Sequence, residues 1–304
     1  MNKPRLFFLV GLSGSGKSTF SKSIAEFVKP IEVFSSDKIR EELYGDGSIQ
    51  GKPQKVFNIL YKRIFSALKE GKNCIYDATN LKQKDRLHFL LQLEQQKINC
   101  EKICYVMCVP FETCIERDSK RERTVGEGVI MKQMKSFEMP VRNEGWDLII
   151  SYAGRYPNLY SIEKYYQMED QPHDTPFHKE TIKQHFKLVE MRATDKKEAI
   201  RLAARYHDLG KFFTKEFKND VAHYYSHEKV SAYLWLTSKE FYDMAKNGAE
   251  WKAIALEALY LIQCHMLPFF SGEKNEEKIK RYFPDSRKDL MELHYCDVTG
   301  KIKD

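Results

Sequence analysis

The chain has 304 residues, enough for two ordinary domains that each bury a core. A hydrophobic share of 42% is that of a soluble globular protein. No apolar run approaches the roughly 20 residues that span a bilayer, which argues against a membrane protein. Lys and Arg number 50 against 43 Asp and Glu, and the resulting charge of +7 favours polyanions such as nucleic acid without specifying one. Seven cysteines without paired spacing argue against a disulfide framework, so Cys104 and Cys108 are expected as reduced core thiols on one face of a strand. The short apolar stretch Leu6 to Val10 runs straight into a glycine-rich loop. It reads as a first strand and not as a signal peptide, and a cytoplasmic location is expected.

In chain order, Arg5 to Val10 predicts a strand, and Lys17 to Val28 a helix with Phe20, Ile24 and Phe27 on one face. Further strands are expected at Ile31 to Ser35, Asn73 to Asp77, Lys102 to Val109 and Trp146 to Ser151, with helices at Pro53 to Glu70 and Lys84 to Gln96 between them. Such alternation implies a parallel sheet flanked by helices, an α/β domain over residues 1–166. The polar segment 167–176, with Pro172 and Pro176, reads as a linker. From 177 to 304 the pattern is helical: Lys179 to Met191, Lys196 to Leu209, His227 to Asn247, Glu250 to Cys264 and a last helix from Arg287. An all-α second domain is expected.

Gly11-Leu12-Ser13-Gly14-Ser15-Gly16-Lys17-Ser18 matches the Walker A pattern and lies between the first strand and the first helix. Its glycines let backbone N–H groups form an anion nest at a positive helix end, so Gly11, Ser13, Gly14, Ser15, Gly16, Lys17, Ser18 and Thr19 are expected to bind ATP. Lys17 would reach the β- and γ-phosphates, and the Ser18 hydroxyl would ligate Mg²⁺. Asp37 follows the second strand, where a carboxylate could take the proton of an attacking hydroxyl, and Arg40 one turn later could hold an acceptor phosphate. Spacing alone equally allows a helix cap beside a solvated arginine. Asp77-Ala78-Thr79-Asn80 ends the third strand, facing the acceptor or the outer shell of Mg²⁺. Arg117 and Arg121, at i and i+4, could close over the transferring phosphoryl group.

Taken together, Gly11 to Ser18, Asp37-x-x-Arg40, Asp77-x-Thr79-Asn80 and Arg117-x-x-x-Arg121 resemble the phage-type polynucleotide 5′-hydroxyl kinases. The resemblance implies Asp37 as general base, Arg40 on the acceptor's phosphate, and Arg117 and Arg121 as lid arginines. Val109-Pro110 and Glu144-Gly145-Trp146-Asp147 are similar to the broader P-loop kinase group, which includes small-molecule kinases.

In the second half, His207-Asp208 ends an apolar helix that Gly210 is expected to terminate. Histidine and carboxylate ligands suit divalent transition metals. With His185 before it and Asp297 after it, the pair resembles the signature of the HD phosphohydrolase superfamily, and His223-Tyr224-Tyr225-Ser226-His227 resembles a segment of many HD hydrolases. The resemblance implies that His185, His207, Asp208 and Asp297 hold a divalent metal such as Mn²⁺, Ni²⁺, Co²⁺ or Zn²⁺. His223, His227 and His265 are candidates for a second metal, for substrate phosphate or for protonating a leaving group, with a core role for His265 as the alternative. His178 and His294 are expected to be structural, and Lys211 solvated or in contact with phosphate.

A 5′-hydroxyl kinase joined to a phosphoesterase acting at a 2′,3′-cyclic or 2′/3′-phosphate would heal both ends of cleaved RNA, or of DNA, for an RNA ligase. The chain resembles bifunctional end-healing enzymes that pair a polynucleotide kinase with an HD domain. Two other readings stand beside this one. One is a nucleoside-type kinase fused to a nucleotide-hydrolysing HD domain, and the other an HD hydrolase switched by ATP.

Overall fold

A computed structural model describes residues 3–153 and 159–302. The chain divides into two compact units, Met1–Gln133 with Glu138–Arg155, and Met134–Phe137 with Tyr156–Asp304. The segment read as a linker thus belongs to the second unit, and His173 within it is buried.

The first unit runs β1 (Arg5–Val10), α1 (Lys17–Phe27), β2 (Ile31–Ser35), α2 (Ser36–Tyr44), α3 (Pro53–Lys69), β3 (Asn73–Asp77), α4 (Gln83–Gln95), β4 (Glu101–Met107), α5 (Phe111–Ser119), α6 (Glu127–Met134) and β5 (Leu148–Tyr152). The five strands pair in parallel in the order β2-β3-β1-β4-β5. Alternate residues of β1 serve opposite faces of the sheet. Phe7 and Leu9 join Ile75 and Ile103 beneath Phe20 and Ile24 of α1. Phe8 turns the other way, against Tyr76 (4.6 Å between ring centroids), Trp146 (4.7 Å) and Phe89 (5.4 Å). Apolar residues on both faces are what a parallel sheet covered on both sides requires. All seven cysteines are free and buried.

Beneath that core, Arg86 and Glu144 form an ion pair with both side chains wholly shielded from solvent. Arg86 Nε and Nη2 donate to the two carboxylate oxygens at 2.8 Å each, while Nη1 donates to the carbonyls of Asn80 (3.1 Å) and Leu81 (2.9 Å). The pair therefore fixes the loop that follows β3.

The second unit holds α7 (Glu163–Tyr166), α8 (Ile182–Arg192), α9 (Glu198–Tyr206), α10 (Lys211–Thr214), a hairpin of β6 (Glu216–Lys218) and β7 (Val221–His223), α11 (His227–Leu236), α12 (Lys239–Lys246), α13 (Ala249–Cys264), α14 (Glu273–Tyr282) and α15 (Lys288–Thr299). After its polar first turn, helix α11 is buried on every side from Val230 to Leu236, with Trp235 donating Nε1–H to the Ala255 carbonyl at 3.0 Å. The single helix expected over His227 to Asn247 is two helices. The Thr237 and Ser238 hydroxyls bond back to the Tyr233 and Trp235 carbonyls (2.9 and 2.8 Å), and Ser238 accepts from Phe241 N to cap α12. The hairpin turns on Asn219 and Asp220, both with positive φ (50° and 60°), as a tight two-residue turn requires. Among the described residues, no helix is long and apolar enough to cross a membrane.

Candidate functional site

In the first unit, the loop after β1, Asp77 at the end of β3 and Asp37 just past β2 all lie at the carboxyl end of the sheet, where open α/β sheets bind ligands. Gly14 and Gly16 are left-handed (φ 80° and 86°), and a Cβ on Gly14 would stand 2.2 Å from the Cys114 carbonyl oxygen. Glycine is therefore required for the loop to turn and to pass so close to α5. Gly16 precedes α1 with no side-chain cap, which leaves the helix's first N–H groups for an anion. Lys17 Nζ donates to the carbonyls of Gly11 (3.1 Å) and Leu12 (2.8 Å). Burial lowers the Lys17 pKa against the pull of Asp77, while Arg121 adds to the lowering and Asp37 opposes it. Asp77, Arg121 and Asp37 are thus close enough to Lys17 to act on its charge.

Ser18 Oγ donates to Asp77 Oδ2 at 2.9 Å. Burial raises the Asp77 pKa, with Lys17 and Ser18 opposing. A hydroxyl and a carboxylate joined at the head of the loop fit an octahedral Mg²⁺ that also takes phosphate oxygens. Asp77, expected to face the acceptor or the outer shell of Mg²⁺, is thus brought against the hydroxyl expected to ligate that ion.

Asp37 sits in the first turn of α2 with 65% of its side chain exposed, and Oδ1 accepts from the mostly buried Arg40 Nη1 at 2.9 Å. Helix α5 ends at Ser119, so Arg121 lies beyond it and does not continue the helix face that carries Arg117. The loop after α5 is held instead by the buried Asp118, whose Oδ2 accepts from Val125 N and Gly126 N, both at 2.9 Å. Gln133 of α6, which sequence reasoning did not single out, bonds Ser13 twice: its Oε1 accepts from Ser13 N (2.7 Å) and its Nε2 donates to Ser13 Oγ (3.0 Å). Thr19 is exposed in the first turn of α1.

The second unit gathers its histidines around Asp208. His185 Nε2 lies 3.1 Å from Asp297 Oδ1 and 3.5 Å from Asp208 Oδ2, and His207 Nε2 is 3.4 Å from the same Asp208 oxygen. The other Asp208 oxygen, Oδ1, faces His227 Nε2 at 3.0 Å and His265 Nε2 at 3.5 Å. On all four rings Nδ1 is bonded to a backbone carbonyl: Gly300 for His185 (2.9 Å), Ala204 for His207 (2.9 Å), Tyr224 for His227 (2.7 Å) and Ile262 for His265 (2.7 Å). A carbonyl can only accept, so each Nδ1 carries a proton, and a ring in its neutral form turns an unprotonated Nε2 inward. His207 Nε2 is buried with no hydrogen-bond partner. That donor set fits divalent metal, as two groups sharing Asp208: His185, His207 and Asp208, then Asp208, His227 and His265.

Burial pushes His207 down to about 4, against the two carboxylates beside it. Burial acts the same way on His185, yet its shorter bond to Asp297 and the Glu180 carboxylate prevail and raise it to about 9. Burial would raise Asp208, but His207, Lys211 and His227 hold it well below the usual carboxylate range. Lys211, expected to be solvated or on phosphate, is buried with Nζ 2.6 Å from Asp208 Oδ2. His223 does not join the cluster. Its ring stacks on Tyr225 (5.3 Å between centroids, 5° between planes). Gly210 is right-handed and not a left-handed helix stop; a Cβ there would lie 2.2 Å from the His227 carbonyl oxygen, so its role is close approach to α11. His178 pairs with Glu180 Oε1 at 2.6 Å and stacks on the buried His173.

Residues 6–140 match the family model described as an AAA domain. That match spans the phosphate-binding loop and four of the five parallel strands of the first unit. A candidate bifunctional polynucleotide kinase/RNA ligase of Autographa californica nuclear polyhedrosis virus is 27% identical over 149 residues, which is 44% of this chain and 21% of the viral protein. Among solved structures, a chain of the Pnkp1/Rnl/Hen1 RNA repair complex is 22% identical with a TM-score of 0.38, covering 44% of this chain and 43% of that one. A gluconokinase from Sinorhizobium meliloti 1021 is 17% identical with a TM-score of 0.36, over 51% of this chain and 86% of that one. The chain thus spans about a fifth of the curated relative's length.

Proposed function

We propose that the protein heals both ends of a cleaved polynucleotide, RNA in preference to DNA. The first unit would move the γ-phosphoryl group of ATP to a 5′-hydroxyl, and the second would open 2′,3′-cyclic phosphate or remove 2′/3′-phosphate. The observation that carries this reading is the pairing, in one chain, of an exposed carboxylate beside a phosphate-binding loop with a cluster of four imidazoles and two carboxylates. The polynucleotide acceptor is further supported by the description of the viral relative.

In the kinase step, Asp37 takes the proton of the 5′-hydroxyl as its oxygen bonds to the γ-phosphorus, and the bond to ADP breaks. Arg40, held by Asp37 at 2.9 Å, is placed to bind the acceptor's own phosphate. Lys17, Arg117 and Arg121 neutralise charge on the transferring group. Mg²⁺ held by Ser18 and Asp77 would neutralise the phosphates in the ground state as well.

In the second unit His185, His207, Asp208 and Asp297 would hold one divalent metal, and Asp208, His227 and His265 a second. Metal bound there supplies an activated water and polarises the phosphate ester. Lys211, 2.6 Å from Asp208, is placed to meet a phosphate oxygen. Opening the cyclic phosphate leaves a monoester, and its hydrolysis to inorganic phosphate leaves a 3′-hydroxyl; that end and a 5′-phosphate are what a ligase joins, so an RNA ligase is the partner this chemistry serves. Protein stripped with a chelator and given back Mn²⁺ should regain cyclic phosphate opening while its kinase activity depends on Mg²⁺ alone. Cyclic phosphate opening by fully stripped protein would refute the metal centre.

A further inference from the structure

Ser13 is the third residue of the loop Gly11 to Ser18. Lys17, whose ammonium serves the β- and γ-phosphates, has its Nζ on the carbonyls of Gly11 and Leu12, the two residues immediately before Ser13. The Ser13 side chain is held in one orientation by Gln133. The Ser13 amide can only donate, so the Gln133 atom facing it at 2.7 Å is the oxygen. The Gln133 nitrogen then donates to Ser13 Oγ at 3.0 Å. With one lone pair engaged as an acceptor, the Ser13 hydroxyl keeps its hydrogen to donate elsewhere.

Gln133 lies 120 residues from Ser13 but only two short elements from the arginines. The same stretch carries Arg117 on α5, Arg121 just past it, the loop tied down by Asp118, and then α6. From this geometry we infer that Gln133 is a positioning residue for the γ-phosphate: it aims the Ser13 hydroxyl at the terminal phosphate and ties the arginine-bearing segment to the loop. The inference rests on the reading of the loop as an ATP site and not on the identity of the acceptor.

On this inference Ser13 meets the terminal phosphate and not the others, so loss of the tie should discriminate between nucleotides. Calorimetric titration of the full chain with Mg-ATP and Mg-ADP gives the ratio of the two dissociation constants. In Gln133→Ala that ratio should shift about tenfold against ATP, the loss of one hydrogen bond to a charged group, with ADP binding close to wild type. Ser13→Ala should show the same selective loss, and Gln133→Glu a larger one, since its charge repels the γ-phosphate. Equal weakening of ATP and ADP in Gln133→Ala, or no change in either, would overturn the inference. Wild-type protein that binds neither nucleotide would sink the ATP reading itself, and this inference with it.

Discussion

Replacing Arg86 with methionine removes the guanidinium from a wholly buried ion pair of the first unit while roughly keeping its bulk. Four donated bonds are lost: two to Glu144 at 2.8 Å and one each to the carbonyls of Asn80 and Leu81. Glu144 would keep Gln83 Nε2 (3.1 Å) and Trp146 Nε1 (3.0 Å), both neutral donors, around a carboxylate with no solvent access. Breaking one side of such a pair costs about 3–5 kcal/mol, because the remaining charge stays buried without its partner. Against the 5–15 kcal/mol that is usual for a domain, ~4 kcal/mol is a large share of the stability. Urea denaturation followed by Trp146 fluorescence reports on the right unit, since that indole bonds the pair directly; Trp235 and Trp251 lie in the other unit. Arg86→Met/Glu144→Leu should recover much of the loss, because no charge is then left buried. A cost below about 1 kcal/mol for Arg86→Met, the level of an exposed pair, would refute the reasoning.

Asp77→Asn should raise the Mg²⁺ concentration needed for ATP binding by about tenfold or more, read by titrating Mg²⁺ at fixed ATP, since the carboxylate bonded to Ser18 loses its charge. Gly210→Ala forces a Cβ to within 2.2 Å of the His227 carbonyl, so ~1–3 kcal/mol of second-unit stability should go, with metal content falling too. Denaturation followed by far-ultraviolet circular dichroism and elemental analysis would check both. In His265→Ala the second metal group loses a ligand while His185, His207 and Asp297 are untouched, so bound metal per chain should drop by about one by native mass spectrometry. An unchanged metal count would assign His265 to the core instead.

The parallel sheet and the phosphate-binding loop could be read from the chain because their signals are local. Glycines stand at fixed offsets between an apolar run and an amphipathic one, and strand and helix periods alternate after them. Local signals also located His207-Asp208. Other features answer to distant partners. Gln133 reads as one more polar residue of a surface helix until Ser13, 120 residues away, is seen beside it. Helix α14 escaped notice because only Ile279 and Tyr282 are buried in it, too few for a visible stripe. The hairpin of β6 and β7 is three residues a strand, short enough that only the Asn219-Asp220 turn could have announced it. His173, in a segment polar enough to pass as a linker, is buried because its Nδ1 bonds the Glu180 carbonyl at 2.8 Å and Nε2 meets Lys211 at 3.2 Å.

In the proposed function two separate sites act on the two ends of one strand. The direct test is a single RNA oligonucleotide carrying a 5′-hydroxyl and a 2′,3′-cyclic phosphate, incubated with ATP, Mg²⁺ and Mn²⁺ and read at both termini by mass. Wild type should add phosphate to the 5′ end and open the 3′ end. Asp37→Ala should lose the first activity by about 10²–10⁴-fold and keep the second. Asp208→Ala should do the reverse. If neither end changes while ATP is consumed in the presence of free nucleosides, the polynucleotide account is contradicted and a small-molecule kinase takes its place.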